Sequence, residues 1–275
     1  MTFLKRACTT LVGLPAVVLI VYFGGLPLLV VCALAALIGL FELYRAFTIP
    51  KPLVVSGLVF TVLHFVAVYF LLAVFWHGLV LFVLYLAIFA VLTYGKISLN
   101  SILTCLFGFV CVPFLLSFVV LVRELPYGHL YVWLIFVACF GCDTFAYLFG
   151  SAFGKRKLKG TPSPSKTVEG LVGGVVSATL LGFFLPIIFG RLEIAQPYGI
   201  NVRVALLSAA IVFAGAVFSV FGDMFGSLIK RNTGIKDFGN FFPGHGGVMD
   251  RLDSIIIVAP LMFVVLSALD GVLAL

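Results

Sequence analysis

Charged side chains are scarce in this chain: Asp, Glu, Lys and Arg make up 10% of its 275 residues, whereas 63% of the residues are hydrophobic. Soluble domains contain about 25% charged and about 45–50% apolar residues. With a mean hydropathy of +1.29, the polar side chains are too few to cover a water-soluble globule of 29.7 kDa. The composition therefore excludes cytosolic, secreted disulfide-rich and intrinsically disordered proteins, and it predicts an integral membrane protein.

The six cysteines all lie in apolar stretches, where cysteine behaves as a small hydrophobic residue. Only Cys139 and Cys142 form a C-x-x-C pair, and this pair has neither a second C-x-x-C nor a nearby histidine. A disulfide framework, a redox motif and a zinc site are therefore not favoured, and we interpret these cysteines as helix-packing residues.

Long runs without any charge dominate the first half of the chain, including residues 7–41, 52–95 and 97–122. One membrane crossing needs about 20 apolar residues, so several crossings are required. Division at glycine, proline and charged residues predicts nine helices, at 8–23, 26–47, 53–74, 77–95, 101–122, 128–150, 170–189, 204–230 and 251–274. The predicted fold class is an all-α, polytopic integral membrane protein with about nine transmembrane helices.

The basic residues fall almost entirely on one side of these predicted helices. If the N-terminus is cytoplasmic, that side holds 14 of the 17 Lys and Arg residues, and the other side holds only Arg123, Arg191 and Arg203. Cytoplasmic loops carry such an excess, so we expect a multi-pass protein of the cell's inner membrane with its N-terminus and basic loops in the cytoplasm. The net charge of +7 is thus a topology signal that also attracts lipid headgroups or phosphates, and it requires no nucleic acid.

Acidic residues are concentrated late in the sequence. Up to residue 140 only Glu42 and Glu124 are acidic, and the other acidic residues follow. We therefore expect a scaffold of transmembrane helices over residues 1–135, and a catalytic transmembrane region with cytoplasmic loops over residues 136–275.

One polar stripe lies on the predicted eighth helix, where Ser219, Asp223, Ser227 and Lys230 recur at helical spacing. Glycines on either side of Asp223 leave room for a helix or a ligand to approach. A carboxylate inside a membrane is costly and usually faces a bundle interior or a wet cavity. Asp223 is therefore a functional candidate, and pairing with Lys or Arg is the structural alternative.

A glycine-rich loop follows, and the next helix opens with Asp250, Arg251 and Asp253. Helix capping would explain one or two of these carboxylates, but it would not explain the neighbouring Lys230, Arg231 and Lys236. Mg²⁺ takes one or two carboxylates and fills its octahedron with phosphate oxygens and water. A few carboxylates among cations and glycines therefore favour a Mg²⁺–phosphate site over zinc, which would need more His or Cys.

A second polar cluster joins the predicted sixth and seventh helices. It begins at Asp143 and Tyr147 and continues through a basic run to Lys166, which lies between hydroxyl residues and three positions before Glu169. Positive-inside topology explains most of the basic run, but Lys166 is more typical of a ligand site. A P-loop is excluded because its Gly-to-Ser/Thr spacing is missing.

These residues resemble the signature of phosphatidate cytidylyltransferases, also called CDP-diacylglycerol synthases. The matching positions are Ser227, Lys230-Arg231, Lys236-Asp237, Pro243-Gly244-His245-Gly246-Gly247, Asp250-Arg251 and Asp253. Asp143-Thr144, Ala146-Tyr147, Gly154-Lys155, Ser163-Pro164, Lys166-Thr167 and Glu169-Gly170 also resemble the family. Two departures, Phe145 where the family often has Gly and Gly160 where Pro is frequent, concern local backbone shape.

The resemblance implies transfer of a cytidylyl group from CTP to phosphatidic acid, giving CDP-diacylglycerol and pyrophosphate in phospholipid biosynthesis. It implies Mg²⁺ held by Asp223 and Asp250, and leaves a second cation and a homodimer open. The implied catalytic residues are Asp223, Lys230, Arg231, Lys236, His245, Asp250 and Arg251. The implied substrate-binding residues are Asp143, Ser163, Lys166, Thr167, Ser227, Gly246, Gly247 and Asp253.

Two other classes of function remain open at this point. A transporter would also contain an intramembrane carboxylate and glycines, but it would move a substrate without forming a product. A CTP-dependent lipid kinase would use the same metal, nucleotide and lipid, and would differ in which phosphate is transferred.

Overall fold

The computed structural model describes residue 15 and residues 17–70, 75–191, 202–241 and 246–273. Within these ranges the chain is almost entirely helical and contains no named β-strand, although an isolated β-bridge joins Lys157 and Thr167. The predicted all-α class is therefore confirmed. A helix satisfies its own backbone hydrogen bonds, as a segment in the lipid interior must.

The helices are α1 (Gly25–Ala46), α2 (Lys51–Phe70), α3 (Phe75–Leu92), α4 (Leu99–Arg123), α5 (Gly128–Phe153), α6 (Val168–Arg191), α7 (Val202–Thr233), α8 (Met249–Leu252) and α9 (Ile255–Leu273). Among the described residues, eight helical stretches are long and apolar enough to cross a membrane, with α8 and the start of α9 counted as one stretch. They confirm eight of the nine predicted helices. The first, at 8–23, lies largely outside the described residues, which are helical over 17–23.

Three helices depart from the regular pattern that the sequence predicts. In α4 a wide π-type turn spans Val110–Phe114 and contains Pro113, which has no N–H to continue the α-helical hydrogen bonds. A second wide turn in α5 spans Val137–Gly141. The predicted helix 251–274 is interrupted after α8, where the Asp253 carboxylate accepts the Ser254 N–H at 2.8 Å and competes with helical bonding.

The chain divides into two compact units, and the first comprises Met1–Leu121 and Asn232–Leu252. Its core contains Tyr44 of α1, whose side chain is fully buried. The Tyr44 hydroxyl donates to the Cys105 carbonyl of α4 at 2.6 Å. A side chain at Gly57 of α2 or Gly108 of α4 would collide with the Tyr44 ring, so these two glycines let three helices close around one aromatic residue.

The second unit comprises Val122–Arg231 and Asp253–Leu275. Here α5 and α6 pack closely through two glycines of α6 that lie one turn apart. A Cβ at Gly170 would lie 2.7 Å from the Ala146 carbonyl oxygen, and one at Gly174 would lie 2.6 Å from the Cys142 carbonyl oxygen. This close contact sets the polar end of α5 against the start of α6.

Candidate active site

A cavity of about 480 Å³, lined by both apolar and charged side chains, opens in the second unit. It lies between the end of α5, the loop before α6 and the middle of α7. Its lining consists of Asp143, Ala146, Tyr147, Gly150, Ser151, Ser165, Lys166, Thr167, Gly170, Leu171 and Asp223. Four of the predicted site residues therefore meet in one cavity, although they come from separate segments of the sequence.

An ion pair between Lys166 and Asp223 lies in this cavity. The two side chains are 24% and 26% exposed, so both are accessible from the cavity. Their charges neutralise each other as long as the pair is intact. A phosphate oxygen that binds Lys166, or a cation that binds Asp223, would replace one partner of the pair with a ligand of the same sign.

The loop of residues 154–167 fixes the position of Lys166. The Leu158 N–H donates to the Lys166 carbonyl, and the Val168 N–H donates to the Arg156 carbonyl, both at 2.9 Å. At the start of α6, the Glu169 carboxylate accepts the N–H groups of Lys155 and Arg156 at 3.1 Å. The basic loop is thus folded back onto α6, and the side chain of Lys166 extends from the loop to Asp223 of α7.

Gly160 lies at the turn of this loop with φ +77°, in the left-handed region. Proline is restricted to a φ near −65° and could not adopt this conformation. The backbone conformation at position 160 therefore explains why this chain has glycine where the family often has proline.

Two more carboxylates surround Asp223. Asp253 is 5% exposed and packs on the glycine face of α7, where a Cβ at Gly226 would lie 2.9 Å from its side chain. Asp253 interacts electrostatically with Asp223, Asp143 and Lys230. The second unit thus gathers three carboxylates and two lysines, Lys166 and Lys230, along the C-terminal half of α7.

In the first unit, Asp250 organises the glycine-rich loop. Its Oδ2 accepts the Phe238 N–H at 2.9 Å and the Gly247 N–H at 3.0 Å. Gly246 has φ +84°, and a Cβ there would lie 2.9 Å from the same oxygen. Asp250 therefore joins the two ends of the loop, which requires glycine at position 246.

The other predicted site residues that the structure describes are distributed between the two units. In the second unit Ser163 and Ser227 are half-buried and Arg231 is exposed; in the first unit Lys236 and Arg251 are exposed and Gly247 is buried. His245, with Pro243 and Gly244, lies outside the described residues.

Sequence reasoning missed two residues of α1 that hold the same loop in the first unit. The Glu42 carboxylate accepts the Met249 N–H at 2.9 Å, and the Arg45 guanidinium donates to the Phe238 carbonyl at 2.9 Å. Glu42 is one of two acidic residues before position 140, and an acidic residue in a membrane helix is itself a functional signal.

The donor set fits a hard cation such as Mg²⁺ better than a soft one. Among the described residues, no three His, Cys, Asp or Glu side chains lie close enough together to hold a metal ion by themselves. Mg²⁺ does not need such a cage, because it usually binds one or two carboxylates together with substrate phosphates and water. Asp223, which is accessible and lies beside cations that can bind phosphates, has the chemistry of such a ligand.

Fold and site together define a class: a polytopic helical membrane protein whose transmembrane helices and connecting loop enclose a cavity with carboxylate and ammonium groups. The chain belongs to the cytidylyltransferase family, whose family model matches residues 4–269. The family predicted from the polar signature is therefore confirmed.

Several relatives carry the name phosphatidate cytidylyltransferase. The one from Haemophilus influenzae is 36% identical over 198 residues, which cover 68% of this chain and 64% of that protein. The one from Thermotoga maritima is 35% identical over 164 residues, 58% of this chain and 57% of that protein. The one from Staphylococcus epidermidis is 29% identical over 266 residues, 95% of this chain and 98% of that protein. The chain thus spans less than two thirds of the length of the first two and nearly all of the third.

Proposed function

We propose that this protein transfers the cytidylyl group of CTP to phosphatidic acid, giving CDP-diacylglycerol and pyrophosphate for phospholipid biosynthesis. The observation that carries the proposal is the cavity in which Lys166 of one polar motif pairs with Asp223 of the other. Family membership and the name phosphatidate cytidylyltransferase, which the relatives carry, support the same reaction.

In the proposed reaction an oxygen of the lipid phosphate attacks the α-phosphorus of CTP. A new P–O bond forms, and the bond from the α-phosphorus to the oxygen that bridges to the β-phosphorus breaks, so that pyrophosphate leaves with the electron pair. The lipid phosphate is already ionised near neutral pH. No side chain has to remove a proton, and the protein's task is positioning and charge neutralisation.

The basic residues are assigned to the phosphates of CTP and lipid. In the second unit these are Lys166, Lys230 and Arg231, and the Lys166 ammonium would exchange its partner Asp223 for a phosphate oxygen. In the first unit they are Lys236, Arg251 and the predicted His245. We assign Asp143, Ser163, Thr167, Ser227, Gly246, Gly247 and Asp253 to substrate binding.

We assign Asp223 and Asp250, each in its own unit, as ligands of Mg²⁺, which would neutralise phosphate charge when bound. Asp223 offers its carboxylate to the cavity. The hydrogen bonds that Asp250 accepts from Phe238 and Gly247 fix the direction of its carboxylate, as outer hydrogen bonds commonly do for metal ligands.

We place the protein in the cell's inner membrane, with the N-terminus and the loops around Lys157 and Lys236 in the cytoplasm. The distribution of Lys and Arg supports this orientation. CTP is made in the cytoplasm, so a nucleotide site on that side would have direct access to its substrate. The phosphatidic acid would come from the surrounding lipid.

Pyrophosphate release by protein purified in detergent tests the proposal. Release should require both CTP and phosphatidic acid, should stop when Mg²⁺ is chelated, and should be lost in Asp223→Asn. Glu124→Gln, a charge removal at an exposed position, is the matched control and should release pyrophosphate normally. If the wild-type protein consumes no CTP with phosphatidic acid and Mg²⁺ present, the proposed function is wrong.

A further inference from the structure

Glu42 is a buried acidic residue in α1, with 5% of its surface exposed. The cost of a carboxylate in a membrane helix is high, so such residues usually have a specific partner or role. Neither the polar signature nor the cavity of the second unit includes Glu42. The burial of a carboxylate at position 42 therefore has to be explained by the residues that contact it.

The Glu42 carboxylate is enclosed by backbone of the glycine-rich loop. Its Oε2 accepts the Met249 N–H at 2.9 Å, and the Val248 N–H also hydrogen-bonds to it. A Cβ added at Gly239 or at Gly247 would collide with the carboxylate. Both ends of the loop thus lie against one side chain, and only glycine leaves room for it at those two positions.

Two further contacts fix the same loop. Arg45, one turn after Glu42 on α1, donates to the Phe238 carbonyl at 2.9 Å. The Phe238 N–H in turn donates to Asp250, which also accepts the Gly247 N–H. Residues 236–241 and 246–251, here called the signature loop, are therefore held by Glu42 and Arg45 from outside and by Asp250 from within.

We propose that Glu42 is a positioning residue for the reaction: its carboxylate holds the signature loop in the conformation in which Lys236, Asp250 and Arg251 face the substrate phosphates. This inference rests on the proposed function. Glu42 itself touches no substrate and acts through the loop backbone. Loss of its charge should therefore change turnover more than it changes the stability of the helices.

Glu42→Gln tests the role of the charge. We expect kcat to fall on the order of 10- to 100-fold. A displacement of the loop by about 1 Å would misplace its side chains relative to the substrate, and such displacements have effects of that size. The KM for CTP should change much less, and the thermal unfolding midpoint should stay close to that of the wild type. Glu124→Gln is the control and should keep wild-type kinetics. Wild-type kcat and KM in Glu42→Gln would overturn the proposal.

Gly239→Ala tests the contact itself. In the wild-type background its methyl group would collide with the Glu42 carboxylate and displace the loop, so activity should be lost. In a Glu42→Ala background the space is vacant, and the same methyl group should cost little beyond the loss caused by Glu42→Ala. Strictly multiplicative losses in the double variant would show that the two residues are not coupled, and would contradict the proposal. Gly141→Ala, where the nearest atoms to the new Cβ lie 3.6 and 3.7 Å away, is the glycine control.

Hydrogen–deuterium exchange separates this inference from the proposed function. Amides of the signature loop should exchange faster in Glu42→Gln than in the wild type, while those of α6 should not change. If the wild type forms no product but loop exchange rises in the variant, the proposed reaction is wrong and the hold of Glu42 on the loop stands. Unchanged exchange in the loop would overturn the positioning role, whatever the reaction.

Discussion

Asp223 is the residue on which the proposed chemistry depends most. Its carboxylate pairs with Lys166 and faces the cavity. Asp223→Asn keeps the shape of the side chain but removes the charge needed by a cation, so kcat should fall on the order of 10²- to 10³-fold. Steady-state kinetics at saturating Mg²⁺ measure this kcat, with Glu124→Gln as the control. Near-normal turnover in Asp223→Asn would show that Asp223 is not a residue of the active site.

The pairing of Lys166 with Asp223 gives a second prediction at this scale. Lys166→Gln should raise the KM for a phosphate-bearing substrate, because a cation that binds its phosphate is lost. Residues that act as one unit show strongly non-additive effects. The double variant Lys166→Gln with Asp223→Asn should therefore be hardly slower than Asp223→Asn alone. Independent losses, multiplied together, would mean that the ion pair has no part in the reaction.

Individual site residues were only partly predictable from the sequence. Asp223 was recognisable because a carboxylate amid apolar residues is rare, and Lys166 because hydroxyl residues flank it. The contact between them depends on how α7 packs beside the loop of residues 154–167, which no local pattern encodes. Glu42 was missed for the same reason, since its hydrogen-bond partner Met249 lies far away in the sequence.

Glycines on the helices determine how closely the polar elements approach one another. A Cβ at Gly222 of α7 would lie 2.6 Å from the Asp253 carbonyl oxygen and 2.7 Å from the Ser254 Cα, and these backbone atoms cannot move aside easily. Gly222→Ala should therefore destabilise the protein by roughly 1–3 kcal/mol. The thermal unfolding midpoint in detergent should fall by about 2–10 °C.

Activity should fall together with stability in Gly222→Ala, because Asp253 would shift relative to Asp223. Gly141→Ala is the control, since its new Cβ would make only ordinary contacts, and it should unfold like the wild type. An unchanged midpoint in Gly222→Ala would contradict the close packing of α7 against the break before α9.

The helices were the most predictable elements, because each crossing is encoded by a long apolar run. The breaks and wide turns within these helices were not predictable from the apolar runs. The wide turn at Val137–Gly141 contains no proline, and the break after α8 depends on the Asp253 carboxylate bonding to the Ser254 N–H. The wide turn directly precedes Asp143 and the break directly follows Asp250 and Arg251, and local departures from regular helix are common next to functional residues.

At the scale of the whole molecule, the positive-inside pattern gives a prediction of topology. Lys157→Cys and Asp237→Cys, each placed in a cysteine-free variant, should be protected from a membrane-impermeant thiol reagent in intact cells and should react after the membrane is opened. Arg203→Cys, on the opposite side of the predicted arrangement, is the control that should react from outside. Labelling of position 157 or 237 from outside would reverse the orientation.

The central claim is that the α-phosphorus of CTP, and no other, is attacked by the lipid phosphate. Purified protein supplied with phosphatidic acid, Mg²⁺ and CTP labelled at either the α- or the γ-phosphate tests this most directly. The proposed reaction predicts that α-label enters the lipid, that γ-label appears in pyrophosphate, and that added pyrophosphate drives the reaction backwards. Entry of γ-label into the lipid with release of CDP would identify a kinase, and lipid or ion transport without transfer of either label would identify a transporter; either result would contradict the account.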